Sequence, residues 1–329
     1  MPAVTVVMPV YNGLRKSPNY LPEAIESVLG QTFADFEFLI VDDGSTEDYS
    51  ELIAKYTDTR IKWVRKENGG QSSARNYGAK MGSGKWVAFI DQDDRWYPWR
   101  LTKTVEAIET ASPLCVLVYG ELDRIDANGA IFYHRMLKNR SAGTHPKHSI
   151  EHVIGEDSHV LPGTMLLDRK TFLRVGGFSE DLSGFEDDQL AVRLFQIGEL
   201  VFVPDPILQW RLYPESYSYG ERMDRSRRRY FGWLAASFPN TPDRHCISDM
   251  VAPRFFRSWL VSIWRASFLT DRAPAIDQVK RAQAALPEIS PYLSWRHRVI
   301  GWLVWALPAR FLLAIAKNPI TKRLAIRLV

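Results

Sequence analysis

Cysteine is nearly absent: Cys115 and Cys246 are the only two in 329 residues. That excludes a disulfide framework and fits a reducing compartment. No uninterrupted apolar run of about 20 residues occurs either. The most apolar stretch, residues 299–316 (VIGWLVWALPARFLLAIA), is broken by Pro308 and Arg310, and a central Arg costs about 2.5–3.5 kcal/mol on insertion scales. Met-Pro-Ala leads into the first apolar segment without a basic region or a small-residue cleavage site, so no secretory signal is expected. Acidic residues are scarce at one end only. From residue 250 onward stand thirteen Lys/Arg against three Asp/Glu, a balance of +10 within a net charge of +4, so the first 249 residues carry −6. A basic tail on an acidic body points to an anionic surface, either membrane or nucleic acid. No nucleic-acid-binding module is recognisable, and the tail's charges are spaced among aliphatic residues, which excludes nucleic acid as the expected partner. The expected location is cytoplasmic, with peripheral contact to the inner face of the plasma membrane as the open alternative.

What is present is an ordinary globular composition, 46% hydrophobic and 24% charged, with length enough for two domains. Residues 86–90 (WVAFI) form a continuous apolar run of the kind a buried strand needs, and it ends on Asp91-Gln92-Asp93-Asp94. Two like charges about 4 Å apart repel by roughly 4 kcal/mol at an effective dielectric near 20. The cluster is therefore either a solvated acidic loop or the seat of a hard divalent cation that bridges to phosphate oxygens. Residues 5–10 (TVVMPV) read as a first strand broken by Pro9, with Asn12-Gly13 as its turn. Residues 36–41 (FEFLIV) are a second strand, again ending on carboxylates, Asp42 and Asp43. Thr46 is the expected start of a helix, residues 61–64 a third strand and residues 72–80 a helix. Strands alternating with helices argue for parallel βαβ units, whose ligand site lies beyond the carboxyl ends of the strands. Asn12, Asp42, Asp43 and the acidic run 91–94 all fall at that edge. Gly82-Ser83-Gly84-Lys85 imitates the end of a phosphate-binding P-loop. However, Ala79 stands where the motif needs Gly, Trp86 replaces Ser/Thr, and a strand follows, so a tight turn is expected.

Farther on, Asp126-Ala127-Asn128-Gly129 marks a hairpin turn before residues 131–134. His145, His148, His152 and His159 match no tetrahedral zinc spacing, and a loop on the acceptor side is the preferred reading. Glu186-Asp187-Asp188 opens a segment with helical spacing at Leu190, Ala191 and Leu194. Acidic residues in a first turn favour the helix dipole by about 0.3–1 kcal/mol each. Three in succession exceed what capping needs, which leaves one as a candidate base.

In order and spacing the chain resembles the family 2 glycosyltransferases. The matching stretches are VTVVMPVYNG (4–13), QTFADFEFLIVDDGS (31–45), ENGGQSSARNYG (67–78), WVAFIDQDDRWYP (86–98) and VGGFSEDLSGFEDDQLAVRL (175–194). The resemblance covers residues 1–220 and implies an α/β GT-A fold, a Rossmann-like mixed and mainly parallel sheet flanked by helices. An α-helical C-terminal extension would follow. It implies a nucleotide-sugar-binding half at 1–110 and an acceptor-binding half at 111–220, with 221–329 a basic, aromatic-rich helical region. Pro9, Tyr11 and Asn12 would line the nucleotide pocket, Asp43 would meet the base with Asp42 beside it, and Arg75 would lie near base and phosphates. Asp91 and Asp93 match the DxD motif, Asp91 towards the ribose and Asp93 on a divalent metal (Mg²⁺ or Mn²⁺) with Asp94 close by. Asp187, next to Glu186, matches the catalytic base. Tyr213 stands where many members carry the His of an Arg-x-His, so a second protein ligand to the metal is not implied.

The implied function is transfer of a sugar, with inversion, from a nucleotide-diphosphate donor (a UDP-sugar first) to a hydroxyl of a polysaccharide or lipid-linked acceptor. A sugar-nucleotide pyrophosphorylase would need a Gly-rich basic loop where this chain has PVYNG. A catalytically silent nucleotide-sugar-binding or membrane-scaffold protein remains the alternative. Trp295, Trp302 and Trp305, with Arg296, Arg298, Lys317, Lys322, Arg323 and Arg327, suit a helix lying in a membrane interface; a helical subdomain with solvated charges is the competing expectation.

Overall fold

The computed structural model describes residues 1–14, 19–138, 143–213 and 221–316. Lys317, Lys322, Arg323 and Arg327 lie outside the described residues. The chain divides into two compact units, 1–153 with 157–217, and 154–156 with 218–329.

The first unit carries β1 (Val4–Val10), α1 (Leu21–Leu29), β2 (Phe36–Asp42), α2 (Ser50–Lys55), β3 (Ile61–Arg65) and α3 (Gln71–Met81). There follow β4 (Trp86–Phe89), β5 (Arg95–Trp96), α4 (Arg100–Thr110), β6 (Cys115–Ile125), β7 (Ile131–Tyr133) and α5 (Ile150–Ile154). It closes with β8 (Leu166–Asp168), α6 (Arg169–Arg174), α7 (Glu186–Phe195) and β9 (Glu199–Arg211). Among the described residues nine strands make one sheet in the order β3-β2-β1-β4-β8-β6-β9-β5, with β7 paired to β6. It is mixed. β1 to β4 pair in parallel, β8 runs antiparallel to both β4 and β6, and β6 and β9 are parallel.

The apolar runs become strands because both faces are covered: every residue of β1, β2 and β4 is buried. Helix α3 lies close on β1. A Cβ on its Gly78 would sit 2.4 Å from Val7 Cγ1, so only glycine permits that approach. The Gly82-Ser83-Gly84 segment is a short irregular link from α3 to β4, with Gly82 extended (φ −67°, ψ 157°), organised by buried Glu37, whose Oε1 accepts from Ser83 N at 2.5 Å and Gly84 N at 3.2 Å.

Two local expectations need correcting. Pro9 does not break β1; the strand pairs with β2 through Val10. Pairing with β4 stops earlier, at Val7–Phe89, with Ile90 N–H reaching Val7 O at 3.1 Å. Groups alternate along a strand, so the N–H that Pro9 lacks would face the side where β4 has already ended, a position that suits proline. The first helix after β2 starts at Ser50 rather than Thr46, because Asp48 accepts from Ser50 N at 2.9 Å and Ser50 Oγ at 2.6 Å.

The second unit is helical: α8 (Glu221–Ser237), α9 (Ala252–Ala266), α10 (Arg272–Ile289), α11 (Trp295–Ala306) and α12 (Ala309–Ala316). Tyr230, Leu234, Phe255, Phe256, Trp259, Val279 and Leu286 form its buried apolar core. Asp224 of α8 accepts from Arg281 of α10 at 2.8 Å, and Arg227 stacks over Trp259 at 4.4 Å.

Candidate functional site

Because β1 outruns β4, the sheet opens at its carboxyl edge, and the acidic loop 91–94 emerges into that opening. Arg75 of α3 holds it from one side. Its Nη2 donates to Asp91 Oδ1 at 2.5 Å and its Nη1 to Glu186 Oε1 at 3.0 Å, and the residue is 1% exposed. Burial alone would lower the guanidinium pKa; the charges of Asp91 and Glu186 more than offset it and hold Arg75 above its ordinary value. Gln71, one turn earlier, donates to the same Glu186 oxygen at 2.7 Å. Among the described residues the other Glu186 oxygen, Oε2, is buried without a hydrogen-bond partner. One guanidinium thus joins the end of β4 to the first turn of α7.

That first turn is set by a left-handed residue, Phe185 (φ 64°), a conformation that costs a non-glycine residue about 1–3 kcal/mol and clusters at functional sites. Asp188 is spent locally, accepting from Ser158 N at 3.1 Å and from Ser158 Oγ. Asp187 accepts its neighbour's amide, Asp188 N, at 2.9 Å. Desolvation first, then the charges of Glu186 and Asp188, push the Asp187 carboxyl well above the usual carboxylate range, with Arg75 opposing them.

The other side of the acidic loop is held by the end of β9. Arg211 is buried; its amide donates to Asp94 Oδ1 at 2.9 Å, its Nε to Asp93 O at 2.8 Å, and its Nη2 to Glu23. Tyr213 Oη donates to Asp93 Oδ2 at 2.5 Å. Asp94 is almost fully buried, and desolvation followed by the Asp93 and Asp91 charges drives its carboxyl well above its ordinary value.

On the nucleotide side, the turn after β1 is tied to its neighbours. Asn12 adopts φ 46°, its Oδ1 accepting from Thr46 N at 3.0 Å, while its N–H donates to Ser45 Oγ at 3.0 Å. Gln92 clamps Tyr11 by both ends of its amide, Oε1 taking Tyr11 N–H at 3.0 Å and Nε2 giving to Tyr11 O at 3.3 Å. Tyr11 is left 48% exposed. Asp42 accepts from Ser45 N at 2.8 Å and pairs with Arg65 at 3.3 Å. Asp43, 2% exposed, accepts from Gly69 N at 3.0 Å, Gly70 N at 2.7 Å and Lys66 Nζ at 2.8 Å, and so fixes the loop that enters α3.

The structure therefore brings Arg75, Asp91, Glu186 and Asp187 to one junction, with Asp93 and Asp94 on the same loop as Asp91. Pro9, Tyr11, Asn12, Asp42 and Asp43 form the neighbouring strand ends. Sequence reasoning missed Gln71, Gln92 and Ser158, and it placed Arg211 at the Arg of the Arg-x-His position without giving it a role. Gln92 had a signal in its place inside the acidic run; the contacts of the others depend on pairings between distant segments. Among the described residues no three His, Cys, Asp or Glu side chains form a closed metal cage. A hard cation shared between one or two carboxylates and a diphosphate does not need one. The negative charge crowded around buried Asp94 is what such a cation relieves, so Asp93 and Asp94 fit it.

Comparison with known proteins gives a consistent picture. The family model described as glycosyl transferase family 2 matches residues 5–175. An uncharacterised glycosyltransferase of Rickettsia bellii is 31% identical over 218 residues, 66% of this chain and 31% of that protein. The match thus spans about a third of the length of that relative. The Escherichia coli UDP-Glc:alpha-D-GlcNAc-diphosphoundecaprenol beta-1,3-glucosyltransferase WfgD is 31% identical over 150 residues, covering 43% of this chain and 57% of WfgD. Among solved structures, S. aureus TarS 1–349 in complex with UDP-GlcNAc superposes with a TM-score of 0.67 at 17% identity, covering 97% of this chain and 92% of that one.

Proposed function

The chain belongs to glycosyl transferase family 2, and on that premise we propose that it is an inverting transferase. It would move a sugar from a nucleotide-diphosphate donor, a UDP-sugar first, to a hydroxyl of a lipid-linked glycan or polysaccharide. One observation carries this reading: a single buried guanidinium, Arg75, grips both Asp91 of the acidic loop and Glu186 beside Asp187. The group suited to deprotonate an acceptor is thereby coupled to the loop suited to a diphosphate. The UDP-GlcNAc complex of TarS and the printed activity of WfgD support the donor class and the lipid-linked acceptor.

In this reading Asp187 takes the acceptor hydroxyl's proton as the oxygen attacks. A carboxylate with a raised pKa is the better base, because proton transfer is most efficient near matched pKa values. Attack on the face opposite the leaving group, with one base and no covalent intermediate, inverts the anomeric centre. Tyr11 offers an exposed ring face for the nucleobase, with Pro9, Asn12, Asp42 and Asp43 shaping the walls around it. Mg²⁺ or Mn²⁺, held by Asp93 with Asp94 beside it, would stabilise the charge that builds on the departing nucleoside diphosphate. The test is nucleotide-diphosphate release from a panel of sugar nucleotides with Mn²⁺ or Mg²⁺, each repeated with chelator. One donor should be turned over by the wild type and not by Asp93→Ala. Nucleotide binding without release across a broad acceptor set would favour a silent binding protein instead.

The helical unit is proposed to rest on the inner face of the plasma membrane. Among the described residues no single helix is long and apolar enough to span a bilayer, and α11 and α12 are bent by 116° about their break. Trp295, Trp302 and Trp305 are 71%, 63% and 54% exposed, interleaved with Arg296 and Arg298. Apolar area and cationic charge together set interfacial binding. Replacing the three tryptophans by Ala should lower co-sedimentation with phosphatidylglycerol vesicles at least tenfold; unchanged partitioning would refute the contact.

A further inference from the structure

We infer that Tyr213 is a positioning residue for the cation site: its phenol fixes the Asp93 carboxylate in the orientation that binds the metal, without being a ligand itself. The inference rests on the proposed role of Asp93. Tyr213 lies two residues past the end of β9, is 8% exposed, and donates its hydroxyl to Asp93 Oδ2 at 2.5 Å. Its ring packs on Tyr20 with centroids 5.5 Å apart, and Tyr20 in turn lies 4.1 Å beneath the Arg211 guanidinium. Arg211 itself holds the Asp93 carbonyl at 2.8 Å and, through its amide, the Asp94 carboxylate at 2.9 Å. One strand end therefore grips Asp93 twice, by backbone and by side chain, and the gripping phenol is braced by its tilted contact with Tyr20.

An ionised carboxylate has about four lone-pair sites on two oxygens. A phenol on Oδ2 and a cation on the carboxylate are thus compatible, and the phenol removes the rotamer freedom that an unheld Asp would lose on each binding event. Partners that orient a metal ligand in this way are worth about 10–100-fold in metal affinity.

The test uses the full chain. Mn²⁺ binding is measured by calorimetry in the presence of UDP for wild type, Tyr213→Phe and Tyr213→Gln, with UDP binding in the absence of metal and thermal melting as companions. Tyr213→Phe should weaken Mn²⁺ binding about tenfold or more while metal-free UDP binding stays at the wild-type level. Tyr213→Gln, which returns an N–H donor, should recover part of the loss. If the Phe variant does not fold, Tyr213→Gln against Tyr213→Met, similar in size and different in donor, carries the same comparison. Superimposable Mn²⁺ curves, or tighter binding without the hydroxyl, would overturn the inference. So would absence of Mn²⁺ binding to the wild type; chelator-resistant release of UDP from a donor would then show that the transferase reading survives without it.

Discussion

Asp187→Asn should lower kcat by about 10²–10⁴-fold, the range that removal of a general base produces, with donor KM little changed. The amide has the same shape and cannot take a proton. Stability should move the other way. The folded-state pKa of Asp187 lies above its unfolded value, because of desolvation and the adjacent Glu186 and Asp188 charges. A carboxyl shifted in that direction loses stability as pH rises from the unfolded pKa through the folded one, so above that range its charge opposes folding. The Asn protein should therefore melt at or above the wild-type temperature. The same shift places the acidic limb of the wild-type kcat/KM profile above the usual carboxylate range. It reports the acidic turn as a coupled set rather than one residue. Turnover close to wild type in Asp187→Asn would remove that residue from the role of base.

Arg75→Met should be the most damaging single change to the fold of the first unit. It strands Glu186, 4% exposed, with Gln71 as its remaining partner, and leaves Asp91 unpaired on its guanidinium side. Breaking a buried ion pair from one end costs about 3–5 kcal/mol. In a unit of this size that lowers the melting temperature by roughly 10 °C. Removing both ends is different, since an apolar replacement of a whole buried pair is often neutral. Arg75→Met with Glu186→Leu should thus regain at least half of the lost stability and none of the activity. Arg75→Lys should not substitute, because an ammonium lacks the fork that serves two carboxylates at once. Melting curves of the single and double variants decide the matter: a single variant as stable as wild type would mean that the junction contributes nothing to the fold.

Much of the sheet was legible. Residues 5–10, 36–41 and 86–90 read as strands because burial on both faces leaves an unbroken apolar signature, and the carboxylates at their ends mark where burial stops. The Pro9 error shows the limit of that signature. Proline disrupts a ladder only where a neighbour is waiting for its N–H, and the sequence does not say that β4 ends two residues sooner. The Ser50 start was missed for a local reason: Thr46 is tied to Asn12 Oδ1, and Asp48 closes a turn onto Ser50. The junction at Arg75 was legible only as a set of charged residues. Its partners come from three separate segments, and nothing periodic links residues 75, 91 and 186. Arg211 was marked by the resemblance as the Arg of the Arg-x-His position, but a basic residue at a strand end carries no signal that its donors reach the acidic loop, the β6–β7 turn and α1 together.

The stagger between β1 and β4 also bears on how such a protein can change over generations. Residues inside the ladder are bound by partners on both sides and tolerate little. Past Phe89 the chain leaves the β1–β4 ladder until β5, so a substitution in between need not unzip a strand. Pro9 keeps that boundary in place, because no lengthened β4 could find an amide there to bond. A change at this rim is thereby separated from the pairing of the sheet beneath it.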